Sequence, residues 1–381
     1  MRPATRIALP RASRQRPPTA ARHMHPSPTA YYATVSPLHG SGPPPEPPRP
    51  AADSADTRLE RRKRQAELLE RAAKIRSPTG ATTTQKSSST APPLSRRRFW
   101  KDVHVRHVQG ALEVHLDSRP LRRPDTKEII RLPPSKPLLA AALALEWDLL
   151  SSVQQASKHH LIPLTSLVCR ALDIADDDAA RQQANIQGES LRAGITRMLL
   201  RYLDTDSLLC WAPPPRHGTD APDGSGRSLR ELQRAAAEEV VAYLGTHVWP
   251  GVEIEPVLDG ESIVPRQQKP ETRQVVEGWI MGLSPWELAG LERGVLAGKG
   301  LLGAVRLIVE WSEGPVGLRQ RGDGSGSGAF GIEQAARMAS IEVDWQTGNW
   351  GEVEDTHDVQ KEDLRRQLGS VILLVGGTGK S

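Results

Sequence analysis

Two periods organise the hydrophobic positions of this 381-residue chain. Between residues 99 and 132 they alternate: Val103, Val105 and Val108, then Leu112, Val114 and Leu116, stand either side of Gln109-Gly110 and predict a β-hairpin. A further strand is expected near Ile129 to Leu132. After Pro133-Pro134 the run KPLLAAALALEWDLL puts Leu139, Leu143, Glu146 and Trp147 on neighbouring helical turns. Helical period then dominates, over Asp178–Tyr202, Leu229–Leu244, Glu271–Leu283, Pro285–Glu310, Ile332–Gln346 and Lys361–Val375, with Asp204-Thr205-Asp206 as a cap or turn. Breaks fall at Pro213 to Gly226 and at Gly314 to Gly331, which contains GDGSGSG. Residues 1–95, rich in Pro, Ser, Thr and Arg and poor in aromatics, are expected to be disordered, apart from a solvated helix over Thr57 to Ile75. The pattern predicts an α+β chain: a leader over 1–95, a unit with a small antiparallel sheet over 96–177, and a mainly helical unit over 178–381.

The stretch from Ile332 to Gln346 carries one residue out of place. At about 100° per residue, Ile332, Ala335, Ala336, Met338, Ala339, Val343 and Trp345 share a broad face, and Glu342 projects near its middle. Glu333, Arg337 and Asp344 take the opposite side. A buried carboxylate without a partner is costly, so Glu342 either pairs inside the fold or waits for another chain. The acids that follow, Glu352, Glu354, Asp355 and Asp358, favour an interaction surface; a solvated cap and turn is the competing reading. For Trp345 and Trp350 the competing reading is core packing.

Charge is unevenly placed. Residues 1–98 hold 19 Lys and Arg against 6 acids, a net of +13, and the remainder holds 31 against 39, a net of −8. Before Glu46 there is no acid, while Arg2, Arg6, Arg11, Arg14, Arg16 and Arg22 lie among Ala, Ser, Thr and Pro. That is the composition of an organellar transit peptide, which points to the mitochondrial matrix; a disordered basic arm is the alternative. No apolar run reaches the roughly 18 residues of a membrane span. Cys169 and Cys210 stand far apart, which excludes a disulfide framework and a thiol-rich zinc site and leaves them as small buried hydrophobes.

Catalytic motifs fail on inspection. The terminal VGGTGKS resembles a phosphate loop, but Leu374 stands where the first glycine is needed, six positions before Lys380. His357-Asp358 and Lys158-His159-His160 lack companion ligands at metal spacing. Ser166 and Ser207 sit in no nucleophile elbow, and no carboxylates pair as acid and base. Catalytic residues, a cofactor and a metal are therefore not expected.

Six ordered motifs resemble those of a known family. FWKDVHV from Phe99, LDSRPLRRP from Leu116, ALEWD from Ala144, IPLTSLVCRALD from Ile162, RYLDTDSLLCW from Arg201 and SIEVDWQTGNWGEVEDTHD from Ser340 are similar to those of the mitochondrial assembly factors that chaperone the alpha subunit of the F-one sector of ATP synthase. The resemblance implies an amino-terminal α/β sandwich, a carboxy-terminal orthogonal helical bundle, no catalysis and no cofactor. It implies a monomer that binds the unassembled alpha subunit until the beta subunit replaces it, and it makes the acid in the helix before the Trp-Gly turn, Glu342, the functional position. The candidate partner surface is the apolar face around Glu342, Trp345 and Trp350 with the acidic rim Glu352, Glu354, Asp355 and Asp358. The long leader and apparent expansions at Gly251 to Arg273 and Gly314 to Gly331 depart from the family pattern. A rival function, a mitochondrial RNA-binding or ribosome-assembly adaptor, would use the basic leader; an acidic body suits polyanions poorly.

Overall fold

Gln109 and Gly110 both take positive φ, 51° and 79°, which gives the turn the twist that an antiparallel hairpin needs. The computed structural model describes residues 98–184, 187–214, 226–317, 330–353 and 356–377, with Lys63, Arg64 and Glu67, and the terminal leader otherwise lies outside them. Strand β1 (Val103–Val108) pairs with β2 (Ala111–Leu116) in the register Val103 to Leu116 and Val108 to Ala111. Strands β3 (Arg119–Pro120) and β4 (Arg131–Leu132) pair antiparallel with β2, which is buried from Leu112 to Leu116. Glu113, buried in this strand, meets Arg131 at 3.1 Å and the His115 ring at 3.1 Å.

Helix α1 (Pro137–Asp148) covers β1 and β2 and feeds the next element through two of its side chains. The Glu146 carboxylate accepts the Leu164 and Thr165 backbone N–H groups, each at 2.8 Å, and the Thr165 hydroxyl at 2.6 Å. Trp147 Nε1 donates to the same hydroxyl at 2.8 Å. An acid there satisfies the orphan donors that begin helix α2 (Pro163–Gln183) and complements its dipole. Burial pushes the Glu146 carboxyl up, and these hydrogen bonds pull it back. The motifs around Glu146 and Thr165 are thus two halves of one joint. Helix α2 is continuous across residues 177 and 178.

Three predicted helices are each two. Asp178 lies in α2, and the chain restarts at α3 (Leu191–Leu203) after Gly188 at φ 101° and a Ser190 cap whose hydroxyl accepts from Ala193 N at 3.0 Å. Helices α4 (Leu229–His247) and α5 (Pro270–Met281) follow. The run Pro285–Glu310 divides into α6 (Pro285–Gly298) and α7 (Leu301–Trp311) at Lys299, left-handed with φ 55°, and Gly300. That break has a cause elsewhere in the chain: a Cβ on Gly300 would lie 2.6 Å from Asp206 Oδ1. Ile332–Gln346 also divides, into α8 (Ile332–Ala339) and α9 (Ile341–Trp350).

Helix α10 (His357–Val375) packs against α6, α2 and α8, and its end closes on the sheet unit. Lys136 Nζ donates to the carbonyls of Leu374 (2.9 Å), Val375 (3.3 Å) and Gly376 (2.7 Å), a cation on a helix C-terminus. The Gly377 carbonyl accepts from Leu138 N at 3.0 Å. The glycines of the terminal motif therefore begin α1; residues 378–381 lie outside the described ones. Buried residues from Trp100 to Val375 form one hydrophobic cluster, against which the half-buried Cys169 and Cys210 pack. The fold is α+β, a small antiparallel sheet followed by ten α-helices among the described residues. No helix there is long and apolar enough to cross a membrane.

Candidate functional site

Helix α8 keeps the predicted apolar face as far as Ala339. Ala335 and Ala336 are buried, with Ile332 and Met338 packed half-buried beside them. At Ser340 (φ −112°, ψ 6°) the backbone leaves the helical basin, and α9 starts on a new axis. The rotation of about 100° per residue cannot be carried across that junction. Glu342 is consequently exposed, not set within an apolar face, and accepts a hydrogen bond from Gln346 Nε2 at 3.1 Å. An internally paired buried acid is thereby corrected to a solvent-facing one.

The acids assigned to the far side of this stretch instead face α10. Asp344 meets Lys361 at 3.2 Å, and Glu333 meets Arg365 at 3.1 Å. Lys361 also takes Glu352 at 2.6 Å; these carboxylates raise its pKa, that of Glu352 most. One lysine thus ties both ends of α9 to α10. Asp358 sits in the first turn of α10, where an anion complements the helix dipole, and His357 Nδ1 accepts from Val353 N at 3.0 Å. Glu354 and Asp355 lie outside the described residues.

Neither Trp345 nor Trp350 belongs to the buried core. Their rings meet edge to face at 5.9 Å, with Trp350 55% exposed. Trp345 is half-buried, and its Nε1 has no hydrogen-bond partner among the described residues. Val343, Val353 and Val359 are exposed along the same α9–α10 segment. An open groove of about 890 Å³ runs there, lined among others by Val343, Val359, Lys299 and His160. Val353 and Val359 escaped the sequence reading; their signal was a valine directly after the first and the last acid of the run, at Glu352-Val353 and Asp358-Val359. Among the described residues no three His, Cys, Asp or Glu side chains cluster as metal ligands would. The arrangement offers apolar contact area among charges of both signs, Lys299, Lys361 and Arg366 beside Asp358, Glu362 and Asp363, which suits protein binding.

Known proteins are similar to this chain in sequence and in fold. A family model described as ATP12 chaperone protein matches residues 97–245. The mitochondrial protein ATP12 of Saccharomyces cerevisiae is 32% identical over 296 residues, covering 75% of this chain and 84% of that protein. The mitochondrial protein atp12 of Schizosaccharomyces pombe is 29% identical over 299 residues, covering 76% and 85%. Among solved structures, an aspartate-to-lysine mutant of Atp12p from P. denitrificans superposes with a TM-score of 0.50 at 22% identity, over 74% of this chain and 98% of that one. The Atu1473 protein of Agrobacterium tumefaciens does so with a TM-score of 0.51 at 21% identity, over 73% and 85%. At such identities the structural likeness concerns the fold alone.

Proposed function

The chain belongs to the ATP12 chaperone family, which serves the assembly of ATP synthase, and from that premise we propose that it holds the unassembled alpha subunit of the catalytic F-one sector in the mitochondrial matrix. It covers the neighbour-facing surface of that subunit and releases it when the beta subunit arrives. A ring subunit without its neighbours exposes apolar surface, and such surface aggregates.

The observation that carries this reading is Trp350, exposed on the same α9–α10 segment as the exposed Val343, Val353 and Val359, with the exposed carboxylates Glu342 and Glu352 among them. An exposed aromatic anchor supplies contact area, and charges around it steer encounter and select the partner. The client contact is assigned to Glu342, Trp345, Trp350, Glu352 and Asp358, together with Glu354 and Asp355, all in the helical part beyond residue 178. Residues 96–177 support it. The covered face of the alpha subunit then carries cations among its apolar groups.

Co-purification with recombinant alpha subunit tests the reading. The protein retains the subunit, and Glu342→Lys loses it with an unchanged thermal unfolding curve, since the replaced carboxylate is exposed. Loss of binding in step with unfolding would make Glu342 a structural residue. A native protein that retains no alpha subunit would refute the function.

A further inference from the structure

The segment between α4 and α5 holds two apolar side chains in water. Ile263 is 97% exposed and Val264 68% exposed. Their loop is nonetheless fixed at its base. Asp259 Oδ1 accepts from Glu261 N at 3.0 Å, Ser262 Oγ accepts from Val264 N at 3.0 Å, and Arg266 N donates to the Val257 carbonyl at 2.8 Å. Gly260, at φ 77°, lies so close to Ala212 that a Cβ would come within 2.4 Å of its carbonyl oxygen. The chain thus presents an ordered apolar tip, pre-organised for contact.

Charge and size narrow what covers that tip. Residues 253–269 hold four acids, Glu253, Glu255, Asp259 and Glu261, against Arg266 and Lys269. Both cations are engaged, Arg266 with Asp259 at 2.7 Å and Lys269 with Glu253 and Glu255 at 2.5 and 3.1 Å. A net negative loop is repelled by anionic lipid and by nucleic acid. Two side chains also fall far short of the roughly 800 Å² per partner in a stable interface, so the tip adds to a larger contact. Helix α4 stands between the two surfaces: α9 packs against it, and Arg230 in its first turn donates to the Asp259 carbonyl at the base of the tip.

We infer that Ile263 and Val264 form a second grip on the client, a two-residue finger entering an apolar depression on the unassembled alpha subunit, bordered by a Lys or Arg that faces Glu261. This rests on the function proposed above. The full chain carrying a photoreactive residue in place of Ile263 cross-links to purified alpha subunit. Titration of that subunit shows Ile263→Ser with Val264→Ser binding roughly 10-fold more weakly, with unchanged thermal unfolding. Native affinity in the double variant without a cross-link overturns the finger and leaves the α9–α10 contact standing. Absence of binding by the native chain overturns both. Loss in the double variant of binding to cardiolipin vesicles, and not to alpha subunit, overturns the finger in favour of a membrane contact.

Discussion

Asp206 is fully buried, and its carboxylate caps the starts of two helical segments, the short turn Ser207–Leu209 and α7. Oδ1 accepts from Leu208 N at 2.9 Å and Oδ2 from Leu302 N at 2.8 Å, with the Leu301 N–H also contributing. Burial outweighs those donors and pushes its pKa up to about 6 from 3.8. The folded chain therefore holds this proton more tightly than the unfolded chain. The side chain contributes most below about pH 4, loses that contribution as pH rises to about 6, and is constant above. Asp206→Ala leaves buried N–H groups unpaired and costs roughly 1–3 kcal/mol at neutral pH. Denaturant unfolding of the two proteins, repeated between pH 7 and pH 4, should show the gap widening in acid. A gap that narrows would place the titration on the other side of the ordinary value.

Glycine decides how closely the central helices approach. At Gly290 of α6 an added Cβ would lie 2.9 Å from Val375 Cγ1 of α10 and 3.1 Å from Ile308 Cδ1 of α7. Gly290→Val overfills that junction and is expected to cost about 1–3 kcal/mol, read as a lower denaturation midpoint at unchanged slope. Such junctions explain which elements were legible in the sequence. The hairpin was, because alternation and a Gln-Gly turn are local signals, as was α4, whose Ser228 cap and Glu231 lie three residues apart. The breaks at Lys299 and Ser340 were not. Period continues through both, and the first is imposed by Asp206, more than 90 positions away. The same blindness put Glu342 on the wrong face, since a helical wheel assumes one axis. The opposing charges of Asp344 and Lys361 gave no hint that they meet.

The chain closes on itself through its last helix. Lys136, ahead of α1, grips the final carbonyls of α10, so the sheet and the helices share one core. That closure leaves the amino-terminal end of α10 and all of α9 at the edge of the packed body, where valines and Trp350 remain uncovered. The proposed identity of what covers them rests on the resemblance of the ordered motifs; exposure and charge supply only the kind of partner. Light scattering by purified alpha subunit diluted from denaturant examines the proposed shielding most directly. Equimolar native protein should suppress the scattering, Trp350→Ala should suppress it far less, and added beta subunit should release a soluble alpha–beta species. Scattering that proceeds unchanged with the native protein, or is suppressed equally by Trp350→Ala, would contradict shielding through this surface.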